Sequence, residues 1–125
     1  MMIMAASVGV ALLAGLAVFQ VLLAAGAPLG RFAWGGRHDV LPAGQRVGSA
    51  VSVAVYAVVA VVLLARADVL DVLPDGPVHV LTWVLTGYLA LATAMNAMSR
   101  SRPERLVMTP VALALAVACL LLALG

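Results

Sequence analysis

The chain has 125 residues, enough for one domain, and 66% of them are hydrophobic while only 10% are charged. A water-soluble domain carries about 45–50% apolar and about 25% charged residues, so this composition excludes an ordinary soluble globule and points to the bilayer as solvent. The net charge of +2 arises from seven arginines against five acids, with no lysine. That is too small and too dispersed for the basic stripe of a nucleic-acid binder, and the single cysteine, Cys119, excludes an internal disulfide or a cysteine-based zinc site.

Four stretches contain no charged residue: 3–27, 47–65, 78–98 and 106–124. Each reaches the roughly 17–25 residues that a helix needs to cross about 30 Å of hydrocarbon. Every charged side chain falls in the connections between them. Lipid satisfies no free backbone amide and the chain lacks the alternation of barrel strands, so helices are the expected spanning structure. The fold expected is all-α, a polytopic membrane protein built as one up-down four-transmembrane-helix bundle over residues 1–125.

The first stretch, 3–27, has no basic flank and is longer than the apolar core of a secretory signal, and Pro28 follows its small-residue site at Ala25-Gly26-Ala27. A retained helix is expected there rather than a cleaved leader. The connection 28–46 mixes Gly30, Gly35, Gly36 and Gly44 with Phe32 and Trp34, which predicts a segment lying in the headgroup zone. The second connection ends in the turn signature Pro74-Asp75-Gly76-Pro77, and its residues 67–73 are read as either a helical extension or an interfacial turn. In the third connection, Pro103 prevents the preceding helix from running on.

Arg31, Arg37, Arg46, Arg100, Arg102 and Arg105 lie in the first and third connections, and Arg66 alone lies in the second, beside Asp68, Asp71 and Asp75. The positive-inside rule then places the six arginines in the cytoplasm and both termini outside, in a cell inner membrane. The same six guanidinium groups are candidates for holding anionic headgroups, although orienting the protein is reason enough for their presence.

Polar residues inside the spans are the other candidates. Thr82, Thr86, Thr93 and Asn96 follow helical offsets that put them on one face, which should turn into the bundle. Tyr56 and Tyr88 fall near mid-span, where a phenol needs a partner, Ser49 and Ser52 extend the Tyr56 face, and Gln20 adds an amide. Gln20, Ser52, Tyr56, Thr86, Tyr88, Thr93 and Asn96 would together line a modest polar cavity. The competing expectation is that they satisfy one another or, for threonine, their own helix. The small-residue pairs Ala11/Gly15 and Ala112/Ala116 are read first as bundle packing and second as a dimer face.

No metal site is expected from His38 and His79, which lack further ligands at metal-site spacing and are assigned to opposite faces. No cofactor loop and no nucleophile–base pair stands out, so no enzyme activity is expected. No acid or base lies within a span, which disfavours proton-coupled antiport through an intramembrane charge.

Two stretches carry a likeness: Ala25-Gly26-Ala27-Pro28-Leu29-Gly30-Arg31-Phe32-Ala33-Trp34-Gly35-Gly36 running on to Leu41-Pro42, and Asn96-Ala97-Met98-Ser99-Arg100-Ser101-Arg102-Pro103-Glu104-Arg105 with Met108-Thr109-Pro110. They resemble a group of small four-helix bacterial membrane proteins. The resemblance implies the architecture and a bacterial origin, and it brings no activity with it. Two functional expectations follow from the residues. One is a binding or transport-type module for a small apolar or amphiphilic molecule or lipid. The other is a non-catalytic accessory or structural protein that packs with itself or a larger membrane partner.

Overall fold

The computed structural model describes residues 1–125 and contains four long helices: α1 (Met2–Ala24), α2 (Ala43–Arg66), α3 (Asp75–Ala97) and α4 (Arg102–Leu124). All four are long and apolar enough to cross a membrane. At 1.5 Å per residue each is roughly 35 Å long, enough for the hydrocarbon core plus a margin. The protein is therefore an all-helical, multi-pass membrane bundle.

The helix ends differ from the uncharged stretches for local reasons. α1 stops at Ala24, and Gly26 behind it takes a left-handed φ of 96°. α2 starts at Ala43, directly after Pro42, so Arg46 belongs to its first turn rather than to the loop. α4 starts at Arg102 because Ser101 caps it: the Ser101 hydroxyl accepts from the Glu104 amide at 3.5 Å, and Pro103 occupies the first turn, where its missing N–H is no loss. Residues 67–73 form no helix; the chain leaves α2 through Asp68 at a φ of 61° and runs as turns to α3.

α1 packs along α2, α3 along α4, and α1 against α4, whereas α2 and α3 meet only slightly. This is the up-down arrangement with one loosely closed side. The packed core lies in the half of the bundle near the chain termini: Ala5, Ala6, Leu63, Cys119 and Leu122 are its central residues. Small side chains there let the helix backbones approach, and this close packing drives association in lipid, which offers no hydrophobic driving force between helices. Ala112 and Ala116 are buried in this packing, whereas Ala11 and Gly15 face outward. At the same end Arg66 donates to the Gly125 carbonyl at 2.6 Å, placing a cation at the C-terminus of α4. The half that carries the other six arginines is packed differently.

Candidate functional site

Residues 25–42 do not hang free of the bundle. They make two short 3-10 turns, Gly30–Phe32 and Trp34–Gly36, and fold back as a strap across the Arg-rich end. Gly35 and Gly36 take φ values of 80° and 72°, and Trp34 itself is forced to 53°, a conformation that a bulky residue adopts only when its surroundings hold it. Those surroundings are explicit. The Trp34 indole lies against Gly48 of α2, so close that a Cβ there would stand 2.7 Å from the ring, and its Nε1 donates to the fully buried Ser49 hydroxyl at 3.1 Å. The Gly35 amide donates to the Glu104 carboxylate at 3.1 Å, and the Ser101 hydroxyl donates to the Arg31 carbonyl. The strap thus ties α2 to the start of α4.

Beneath the strap the Arg-rich half of the bundle is hollow. A cavity of about 660 Å³ is walled by all four helices, and its exposed lining residues include Val55 on α2 and Tyr88 and Met95 on α3, the pair of helices that meet only slightly. Its volume falls within the roughly 300–1,000 Å³ range of small-molecule sites. Most of the lining is apolar. Phe32, Trp34 and Glu104 form part of its Arg-rich end, and Leu13, Val59, Leu85 and Leu115 lie farthest from that end. Leu13 and Leu115 belong equally to the buried core, so the cavity ends where the packed half begins.

The polar residues named from sequence divide into two groups. Gln20, Ser52, Tyr56, Tyr88 and Asn96 line the cavity. The Gln20 amide donates to the Tyr56 hydroxyl at 3.4 Å, leaving its own carbonyl oxygen buried without a partner, and Ser52 returns its hydroxyl to the Gly48 carbonyl. Tyr88 is 63% exposed on the open side. Thr86 and Thr93 do not line the cavity. Their hydroxyls, like that of buried Thr82, bond carbonyls one turn back on α3 at 2.8 Å, which satisfies them without any second helix.

The six arginines also separate. Arg37 and Arg100 line the cavity at its Arg-rich end, and both are exposed. Arg46 is committed elsewhere: its Nε donates to the Ala24 carbonyl at 2.9 Å, capping the C-terminus of α1. Arg105 donates to the Ser99 carbonyl at 3.1 Å and so braces the turn between α3 and α4. Arg31 lies over the Phe32 ring at 5.0 Å, within cation–π range, and Arg102 faces outward.

Sequence reasoning named neither Trp34 nor Glu104 as a site residue. The Ser101-x-x-Glu104 pattern beside Pro103 is a capping-box signature and marks the helix start, but the carboxylate leaves its own helix and binds Gly35 across the chain. No group of histidine, cysteine, aspartate and glutamate side chains is arranged to hold a metal ion. No family model, no curated protein and no solved structure matches the chain.

Proposed function

We propose that this multi-pass protein binds a small apolar or amphiphilic molecule in the cleft between α2 and α3. The observation that carries the reading is the contrast between the two halves of one bundle. Ala5, Ala6, Leu63, Cys119 and Leu122 pack one half tightly, whereas the other half keeps a cavity of about 660 Å³ open on one side. The atoms lining that volume face no protein atoms across it, so an apolar group bound there gains dispersion contacts. Gln20, Tyr56, Tyr88 and Asn96 supply hydrogen-bonding groups among otherwise apolar walls, the pattern of a small-molecule site.

The positive-inside rule puts the Arg-rich end, and with it the strap, in the cytoplasm of a cell whose inner membrane holds the protein, with both termini on the far side. Membrane lipids are then the most abundant molecules within reach of the open side. The second reading, an accessory protein that packs against its own copy or a larger membrane partner, is favoured by one observation: Ala11 and Gly15 present small residues outward from α1.

Native mass spectrometry of protein released from gentle detergent tests the first reading. A discrete, stoichiometric small molecule or lipid is expected on the wild-type chain, with retention weakened by Tyr88→Ala or Asn96→Ala. If every adduct is removed as easily from the wild type as from the variants, the binding reading fails. A protein partner retained at fixed ratio would support the accessory role instead.

A further inference from the structure

We infer that the occupant of the cleft is the acyl chain of an anionic lipid, drawn sideways from the leaflet at the Arg-rich end, with its acidic head on Arg37 and Arg100. The inference rests on the cleft being a binding site and names what that site takes. Three observations carry it.

The first is depth. On α3 the lining runs from Asn96, next to the Arg-rich end of the helix, to Leu85, eleven residues on. That is about 16 Å of helix rise, close to half of the roughly 30 Å hydrocarbon thickness. On α4 the lining runs from Glu104 to Leu115 over the same number of residues. The cavity is therefore one leaflet deep and stops on the packed core at Leu13 and Leu115. A chain that starts at the headgroup level of one leaflet matches that depth.

The second is the order of polarity along the depth. Arg37, Arg100, Glu104 and Asn96 line the cavity near the helix ends, the Gln20–Tyr56 pair follows, and the deepest positions are Leu13, Val59, Leu85 and Leu115. A molecule with a charged head and an apolar tail meets matching groups at each level. A uniformly apolar molecule would leave the polar positions near the mouth unused.

The third is charge. Of the six arginines at this end, Arg46 and Arg105 are spent on backbone carbonyls and Arg31 lies over Phe32, whereas Arg37 and Arg100 line the mouth with exposed guanidinium groups. Of the two acids at this end, Asp39 does not line the cavity, and Glu104, which does, has its carboxylate engaged by the Gly35 amide. The mouth is thus net positive, with two fork-shaped donors suited to the oxygens of a phosphate or carboxylate head. Entry from the side requires no passage through the strap, because the lining residues Val55 of α2 and Tyr88 and Met95 of α3 are themselves exposed.

The test uses the full chain carrying Trp83→Phe, which leaves Trp34 at the cavity as the sole tryptophan. The protein is reconstituted in vesicles containing a rising fraction of lipid with a brominated tail, which quenches indole fluorescence at contact. Brominated phosphatidylglycerol should quench Trp34 at a mole fraction roughly thirtyfold lower than brominated phosphatidylcholine, the ratio expected for two surface arginines acting on one negative head. Arg37→Gln with Arg100→Gln should erase that ratio, and the Lys/Lys pair should retain most of it. Ala92→Phe, which fills the cleft, should abolish the preferential quenching by phosphatidylglycerol. Equal quenching by the two lipids overturns the headgroup assignment, while native mass spectrometry still reports separately on whether the cleft binds anything. Displacement of the brominated lipid by millimolar inorganic phosphate would also overturn it, since the site would then recognise a free anion rather than a lipid.

Discussion

Replacing Gly48 by alanine tests the seating of Trp34 through the sign of a stability change. In an exposed helix interior Gly→Ala stabilises by about 1 kcal/mol, because glycine carries the larger conformational entropy. Here the added Cβ would stand 2.7 and 2.8 Å from two carbons of the Trp34 ring, whereas carbon atoms pack at about 3.5–4.0 Å. The ring must withdraw by about 1 Å. That stretches its 3.1 Å bond to the Ser49 hydroxyl past useful length. Losing that bond costs about 1 kcal/mol, and crowding a packed contact adds about 1–3 kcal/mol. Gly48→Ala should therefore destabilise the wild-type chain by about 1–3 kcal/mol, yet stabilise a Trp34→Ala chain by up to about 1 kcal/mol. Both are measured by reversible unfolding in mixed micelles followed by helical circular dichroism. If the substitution stabilises both backgrounds equally, the indole does not rest on Gly48 and the description of the strap is wrong.

Glu104→Ala should release the Gly35 amide, costing about 1.5–3 kcal/mol for a hydrogen bond to a charged group and speeding hydrogen exchange at Gly35, whereas Glu104→Gln, which keeps an acceptor, should restore most of the protection. Unchanged exchange in the alanine variant would contradict the bond. Arg46→Gln should cost about 1 kcal/mol through the uncapped end of α1 and leave lipid preference untouched; a lost preference would make Arg46 a headgroup residue after all. Thr86→Val and Thr93→Val should each change unfolding free energy by less than about 0.6 kcal/mol, because both hydroxyls bond their own helix, and a loss several times larger would reveal a partner on another helix. In a Cys119→Ala chain, a membrane-impermeant maleimide added to intact cells should label a cysteine at position 71 and spare one at position 38; the reverse pattern would invert the orientation.

The four helices were legible because the sequence confines its charges to the connections, and no structural detail was needed to see it. The pairing of α3 with α4 followed from the short third connection, whereas connection length misleads elsewhere: the short second connection joins α2 and α3, which meet only slightly, and α1 packs along α2 across the longest one. The cleft was legible in part. Gln20, Tyr56, Tyr88 and Asn96 stood out as polar groups in apolar spans, and they do share one cavity. Periodicity also put Thr86 and Thr93 on that face, but it is blind to a hydroxyl that closes onto the carbonyl four residues back. The strap was not legible beyond its tendency to stay near the surface. Its position depends on three successive residues at positive φ, Trp34, Gly35 and Gly36, and on contacts to Ser49 and Glu104 that are 15 and 69 residues away. No short-range pattern encodes such pairings. The same holds for the arginines: six looked alike in sequence, and only their carbonyl partners distinguish Arg46 and Arg105 from Arg37 and Arg100.

The strap joins the two hairpins on either side of their weakest seam. α2 reaches it through Ser49, and α4 reaches it through Ser101 and Glu104. Spreading the hairpins pulls on these three hydrogen bonds first, so they behave as a mechanical fuse. The Glu104 bond, made to a charged group, is worth about 1.5–3 kcal/mol and the two neutral bonds about 1 kcal/mol each, so the latch adds about 4 kcal/mol to whatever helix packing holds the hairpins together. A guest that wedged the seam apart would load these bonds, including the one from the Trp34 indole to Ser49. On the proposed binding role, occupancy inside the bilayer would thereby become a change at the aqueous boundary.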